Sequence, residues 1–110
     1  MAYDLKLAER IRLEMKGLPI IEKKMFGGVG YILNGNMAVG ILGDDLIVRV
    51  PLENYEKLLK RAHVKIFTMK NGLRPMKGWL MVEPSGIKSA KSLSQWIKAG
   101  VEFSASLPPK

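Results

Sequence analysis

Residues 23–37 read KKMFGGVGYILNGNM, and glycine next to lysine is the raw material of a phosphate-binding loop. Such a loop needs G-x-x-x-x-G-K-[ST] at the opening of a helix, so that backbone amides and a lysine converge on the phosphates. No Gly-Lys pair followed by Ser or Thr occurs anywhere in the chain. A dinucleotide fingerprint fails as well, because from Gly28 the spacing runs G-x-G-x-x-Leu and continues into apolar residues. Glycine within a strand marks instead a bulge, a bend or the close approach of another backbone. That is the role the spacing predicts for Gly27, Gly28 and Gly30.

Other catalytic chemistry is equally poorly supplied. His63 is the single histidine and there is no cysteine, which excludes histidine-rich and thiolate metal sites and thiol nucleophiles. His63 falls just after a helical stretch, where a basic side chain suits the carbonyl end of the dipole. Asp44-Asp45 lacks the spacing of a calcium loop and reads as a turn. Ser85, Ser89, Ser92 and Ser94 surround a helix start, where serine caps free amides, and none has a G-x-S-x-G context. Glu22, Glu53 and Glu83 are the carboxylates that an acid–base enzyme would have to bring into one cleft. The expectation is a chain with no catalytic residue, no cofactor and no metal. The methionines read as core filler, and Trp79 and Trp96 as core or subunit-contact residues.

The bulk charge points to partners. With 18 Lys and Arg against 10 Asp and Glu, the 110-residue chain carries +8. A basic surface attracts anions, and nucleic acid is the commonest large one. Lys23, Lys24, Lys65, Lys70, Arg74 and Lys77 are the candidate nucleic-acid contacts. Against them stands the scatter of the 13 lysines, whose longest run is Lys23-Lys24. The lack of cysteine suits a reducing compartment. The first fifteen residues have charges throughout and no apolar core of a signal peptide. No apolar run approaches the length of a membrane span. The expectation is a soluble, cytoplasmic protein without a membrane partner.

The residues above must be held by a fold, and hydrophobic spacing outlines it. Asp4 caps a first helix whose apolar stripe is Leu7, Ala8, Ile11, Met15 and Leu18, stopped by Gly17 and Pro19. Glu9, Arg10, Arg12 and Lys16 take the wet side. Three strands follow: Met25 to Leu33, Met37 to Leu42 and Leu46 to Val50, separated by the turns NGN and GDD. Turns this short make the strands antiparallel neighbours. Pro51 opens a second helix with Tyr55, Leu58, Leu59 and Ala62 on its apolar face. Two more strands, Val64 to Met69 and Gly78 to Pro84, flank an Asn71-Gly72 turn. A last helix from about Ser89 buries Leu93, Trp96, Ile97 and Val101. The class is α+β, a two-layer arrangement of three helices on an antiparallel sheet of about five strands, in the order α-β(3)-α-β(2)-α. It forms a single domain over 1–110, with its core at about 4–103 and a flexible tail at 104–110. An edge strand such as Leu46 to Val50, or the sheet face away from the helices, is the surface expected to meet a partner.

The stretch from Met25 to Val50, the segment FTMKNGLRPMKGWLMVEP and the terminal LSQWIKAG resemble the TfoX N-terminal domain family, named for a regulator of bacterial competence. The family's Met-Phe-Gly-Gly with a further glycine two positions on matches Met25, Phe26, Gly27, Gly28 and Gly30. The chain departs from the family at Lys77-Gly78-Trp79, where a Gly-Tyr-aromatic run is common. The resemblance implies a fold similar to that of secretion chaperones. It also implies a regulatory or interaction role with a protein partner or a second copy of the chain, and no established catalytic residues.

Overall fold

The computed structural model describes residues 3–25, 28–69 and 74–108, the side chains of 25, 68, 69 and 74–77 excepted. Helix α1 spans Leu5–Glu14. It begins where the Asp4 carboxylate accepts from the amides of Lys6 at 2.9 Å and Leu7 at 3.3 Å, satisfying donors that the first turn leaves free. Leu7, Ala8, Ile11 and Met15 are buried as the 3–4 spacing requires. Gly17 ends the segment in the left-handed region at φ +91, and Leu18 falls beyond the helix, 42% exposed.

Six strands follow, one more than the sequence shows: β1 (Ile20–Met25), β2 (Gly28–Leu33), β3 (Asn36–Leu42), β4 (Asp45–Arg49), β5 (Val64–Met69) and β6 (Arg74–Val82). They form one sheet in the order β1-β2-β3-β4-β6-β5, with every neighbouring pair antiparallel. The expected single strand from Met25 to Leu33 is therefore two strands of a hairpin, with Met25 the cross-strand partner of Gly28. The sequence IIEKKM conceals β1 because its Ile21, Glu22, Lys23 and Lys24 are all exposed, so no apolar alternation marks it. Strand β4, expected at an edge, is central; its partner β6 returns beside it from across α2. The edges are β1 and β5.

Helix α2 (Leu52–Leu59) opens at Pro51 and buries Tyr55. Ala62 lies beyond its end and is exposed. Helix α3 (Ala90–Ser106) is capped by Ser89, whose hydroxyl accepts from the Ser92 amide at 3.1 Å. It does not fray at 104. Ser104 is fully buried and donates to the Met37 carbonyl at 3.1 Å, and the Asn36 amide donates to the Pro108 carbonyl at 2.9 Å. The expected flexible tail is thus helical through Ser106, because a serine small enough to meet the start of β3 gives the backbone there a hydrogen-bond partner. No helix among the described residues is long and apolar enough to cross a membrane.

All three helices lie on one face, around a core that includes Tyr31, Ile41, Leu46, Leu80 and Leu93. The other face carries a smaller apolar cluster. Ile47, Phe67 and Met81 are buried there with the partly buried Met37, Leu42 and Trp79. Two glycines set close approaches, one between α3 and the sheet and one between the neighbouring strands β2 and β3. A methyl group on Gly100 of α3 would meet the Ala38 carbonyl oxygen at 2.5 Å, and one on Gly28 would overlap the Ile41 carbonyl. Gly100→Ala should therefore lower stability by about 1–3 kcal/mol through overpacking against backbone. Gly17→Ala meets nothing within 4 Å and carries only left-handed strain, about 1 kcal/mol. Urea unfolding of the two variants checks this, and an unshifted midpoint for Gly100→Ala would refute the close seating of α3.

Candidate functional site

Polar groups gather where the end of α1 meets the β1–β2 hairpin. Arg12 projects from the last turn of α1 toward Glu22 on β1. Its Nε and Nη2 donate to the two carboxylate oxygens at 3.1 and 3.0 Å, a two-point fork. Glu22 stands across the strand pair from Tyr31 of β2, on the face that α1 covers. Burial by itself would raise the Glu22 carboxyl, but the Arg12 guanidinium outweighs it and holds the group below the usual carboxylate range. For Tyr31, burial first and then the Glu22 carboxylate push the phenol well above its ordinary value. Tyr31 is 1% exposed and its hydroxyl closes no hydrogen bond of normal geometry with another protein group. Tyr31 lines a cleft of about 300 Å³ together with Arg12, Met15, Lys16, Leu18, Ile20 and Glu22.

The structure disperses most of the residues the sequence singles out. Lys23 and Lys24 lie exposed on β1 at one edge of the sheet, and Lys65 lies on β5 at the other. Lys65 is also engaged, with its ammonium 3.1 Å from Asp45 and 3.8 Å from Glu83. Lys70 is outside the described residues, as are the side chains of Arg74 and Lys77. Met25 ends β1, Gly28 and Gly30 are buried in β2, and Phe26 and Gly27 are outside the described residues. Glu22 (on β1), Glu53 (in α2) and Glu83 (after β6) do not converge. Trp96 is core, with the Arg61 guanidinium 4.6 Å from its ring centre, and half-buried Trp79 has Arg49 at 5.2 Å.

The model of the TfoX N-terminal domain matches residues 15–104. The chain belongs to that family. Among curated proteins, none matches the sequence. The family match takes in Met15, Leu18, Ile20, Glu22 and Tyr31 of the cleft, whereas Arg12 lies before it. Sequence reading assigned Arg12 to the wet face of α1 and did not connect it with Tyr31. Partners ten and nineteen residues away leave no periodic signal.

The Arg12–Glu22 pair makes stability depend on pH. Because the folded carboxyl is lowered, the pair stabilises the fold above the ordinary carboxylate range, and that contribution disappears as pH falls through the folded value. Both side chains are partly exposed, so the contribution is at most about 1 kcal/mol. Wild type should exceed Glu22→Gln by this margin at neutral pH, and the gap should close between about pH 5 and pH 3. Urea midpoints across that range test it; a gap that persists unchanged at low pH would exclude the pair as its source.

Proposed function

We propose that this member of the TfoX N-terminal domain family is a non-enzymatic regulatory domain that works in the cytoplasm by protein contact. It takes an extended, acidic strand of a partner protein onto the β1 edge. One observation carries this reading: β1 is an edge strand whose Ile21 is 65% exposed and whose Lys23 and Lys24 are both exposed. An edge strand offers a row of backbone donors and acceptors to an added strand, with side-chain pairing supplying selectivity. Leu5, Leu13, Leu18 and Ile21, four of the six large exposed apolar residues among those described, belong to α1, the link after it and β1.

Charge argues for a different protein over a second copy at this edge. A twofold antiparallel pairing within a continuous sheet sets one residue opposite itself. Centred on Glu22, Lys23 or Lys24, it opposes like charges, which disfavours pairing. An acidic strand instead pairs with the two lysines.

Peptides of alternating Val and Glu, titrated into labelled protein, should shift the β1 amides saturably. The matching Val–Lys peptide should not. Lys23→Glu with Lys24→Glu should weaken the acidic peptide at least about tenfold. Absence of binding at millimolar peptide, or a stable dimer in light scattering that buries β1, would overturn the reading. The net charge of +8 supports a second reading, contact with nucleic acid. It predicts mixed-sequence DNA binding that falls by orders of magnitude between about 50 and 200 mM salt. No binding at the lower salt removes it.

A further inference from the structure

Strand β5 is the second free edge of the sheet, and its chemistry differs from that of β1. The Glu83 amide donates to the His63 carbonyl at 2.8 Å, directly across in the register that sets Val64 opposite Val82. Backbone groups alternate along a strand, so those of Lys65 and Phe67 also point toward β6. The N–H and C=O groups of Val64 and Ile66 then point outward, where β5 has no neighbouring strand among the described residues. Lys65 is the one charged residue of Val64–Met69, and it does not guard this edge. Its ammonium is drawn to Asp45 at 3.1 Å and Glu83 at 3.8 Å. Ile66 stands opposite Leu80, on the face that carries the helices, and is 47% exposed. The strand holds no proline, and the register shift beyond Ile66 is taken up by the longer run of β6. Natural edges are kept from pairing by free charges, prolines or bulges, and β5 has none of these of its own.

We propose that β5 pairs antiparallel with β5 of a second copy of this chain, about a twofold axis at Ile66. Ile66 then faces Ile66 of the second copy, and the two exchange a pair of backbone hydrogen bonds through their outward groups. Val64 faces Thr68 and Lys65 faces Phe67, so no like charges are opposed. An axis at Lys65 would oppose two ammonium groups. An axis at Phe67 would centre the contact on a ring already buried within its own chain. The compensated Lys65 offers no charge by which a foreign strand would be selected, whereas a second copy brings a matching exposed isoleucine. The joined sheet, six strands from each copy, ends on two β1 edges whose lysines stop further growth.

Sedimentation velocity and amide spectra, recorded from about 10 µM to 1 mM protein, test this. Wild type should pass from monomer to dimer with a dissociation constant below about 1 mM, as a small strand-to-strand interface implies. The Val64 and Ile66 amides should shift with dimer formation while the β1 amides stay unchanged. Ile66→Lys and Ile66→Glu, at an exposed position, should each weaken dimerisation at least about tenfold, because each sets like charges face to face. An equimolar mixture of the two variants should recover the dimer, which only a residue facing its own copy predicts. A monomer throughout the range, an Ile66→Lys dimer as tight as wild type, or a mixture that stays monomeric would overturn the proposal. Lys23→Glu with Lys24→Glu should leave the dimer intact, so failure at the β1 edge and failure at β5 are told apart.

Discussion

The seating of α3 on β3 is the contact on which the other layers depend. Gly100 brings the helix backbone against the Ala38 carbonyl, and one turn later Ser104 closes a buried hydrogen bond to Met37. Any side chain at 100 would push the helix off the sheet. The separation fixed there lets Leu93, Trp96 and Ile97 reach the same core as Val39 and Val48. α1 is then held from two sides. Arg10 donates to the Ile87 carbonyl at 2.7 Å ahead of α3, and the Asp4 amide donates to the Gly43 carbonyl at 2.9 Å in the β3–β4 turn.

With α1 in place, its last turn overhangs the β1–β2 hairpin and the cleft follows. Arg12 in the last turn of α1 reaches Glu22 on β1, and Tyr31 of β2 is buried in the core to which α1 contributes Leu7, Ala8, Ile11 and Met15. The outer side of β1 has no neighbouring strand. One segment thus combines a covered polar cleft with an uncovered edge whose lysines discourage self-pairing. The opposite side of the sheet contributes differently: Ile47, Phe67 and Met81 form a small second apolar cluster there.

Much of this architecture is legible in the amino acids. The Asp4 and Ser89 caps, the Asn34-Gly35 turn at φ 52 and 84, the apolar stripe of α1 and the α+β class with three helices follow from local chemistry. So does the family, through the glycine positions after Met25. Strand β1 was not legible, because an exposed edge strand has no buried face to impose alternation. Nor was the central place of β4, since strand order is set by the return of β6 across α2. The close role of Gly100 was hidden too, because a glycine inside a helix announces nothing about what crosses it.

Sequence alone determined the three helices, five of the six strands, the turns NGN and GDD, and the family to which the chain belongs, since each of these rests on neighbours within a few residues. Only the tertiary structure decided that Lys23 and Lys24 stand at one edge and an engaged Lys65 at the other. It also decided that Arg12, Glu22 and Tyr31 share one cleft. The physical reason is common to both: charge pairing and burial act through space, and the packing of α1 over the first hairpin sets distances that no spacing along the chain encodes.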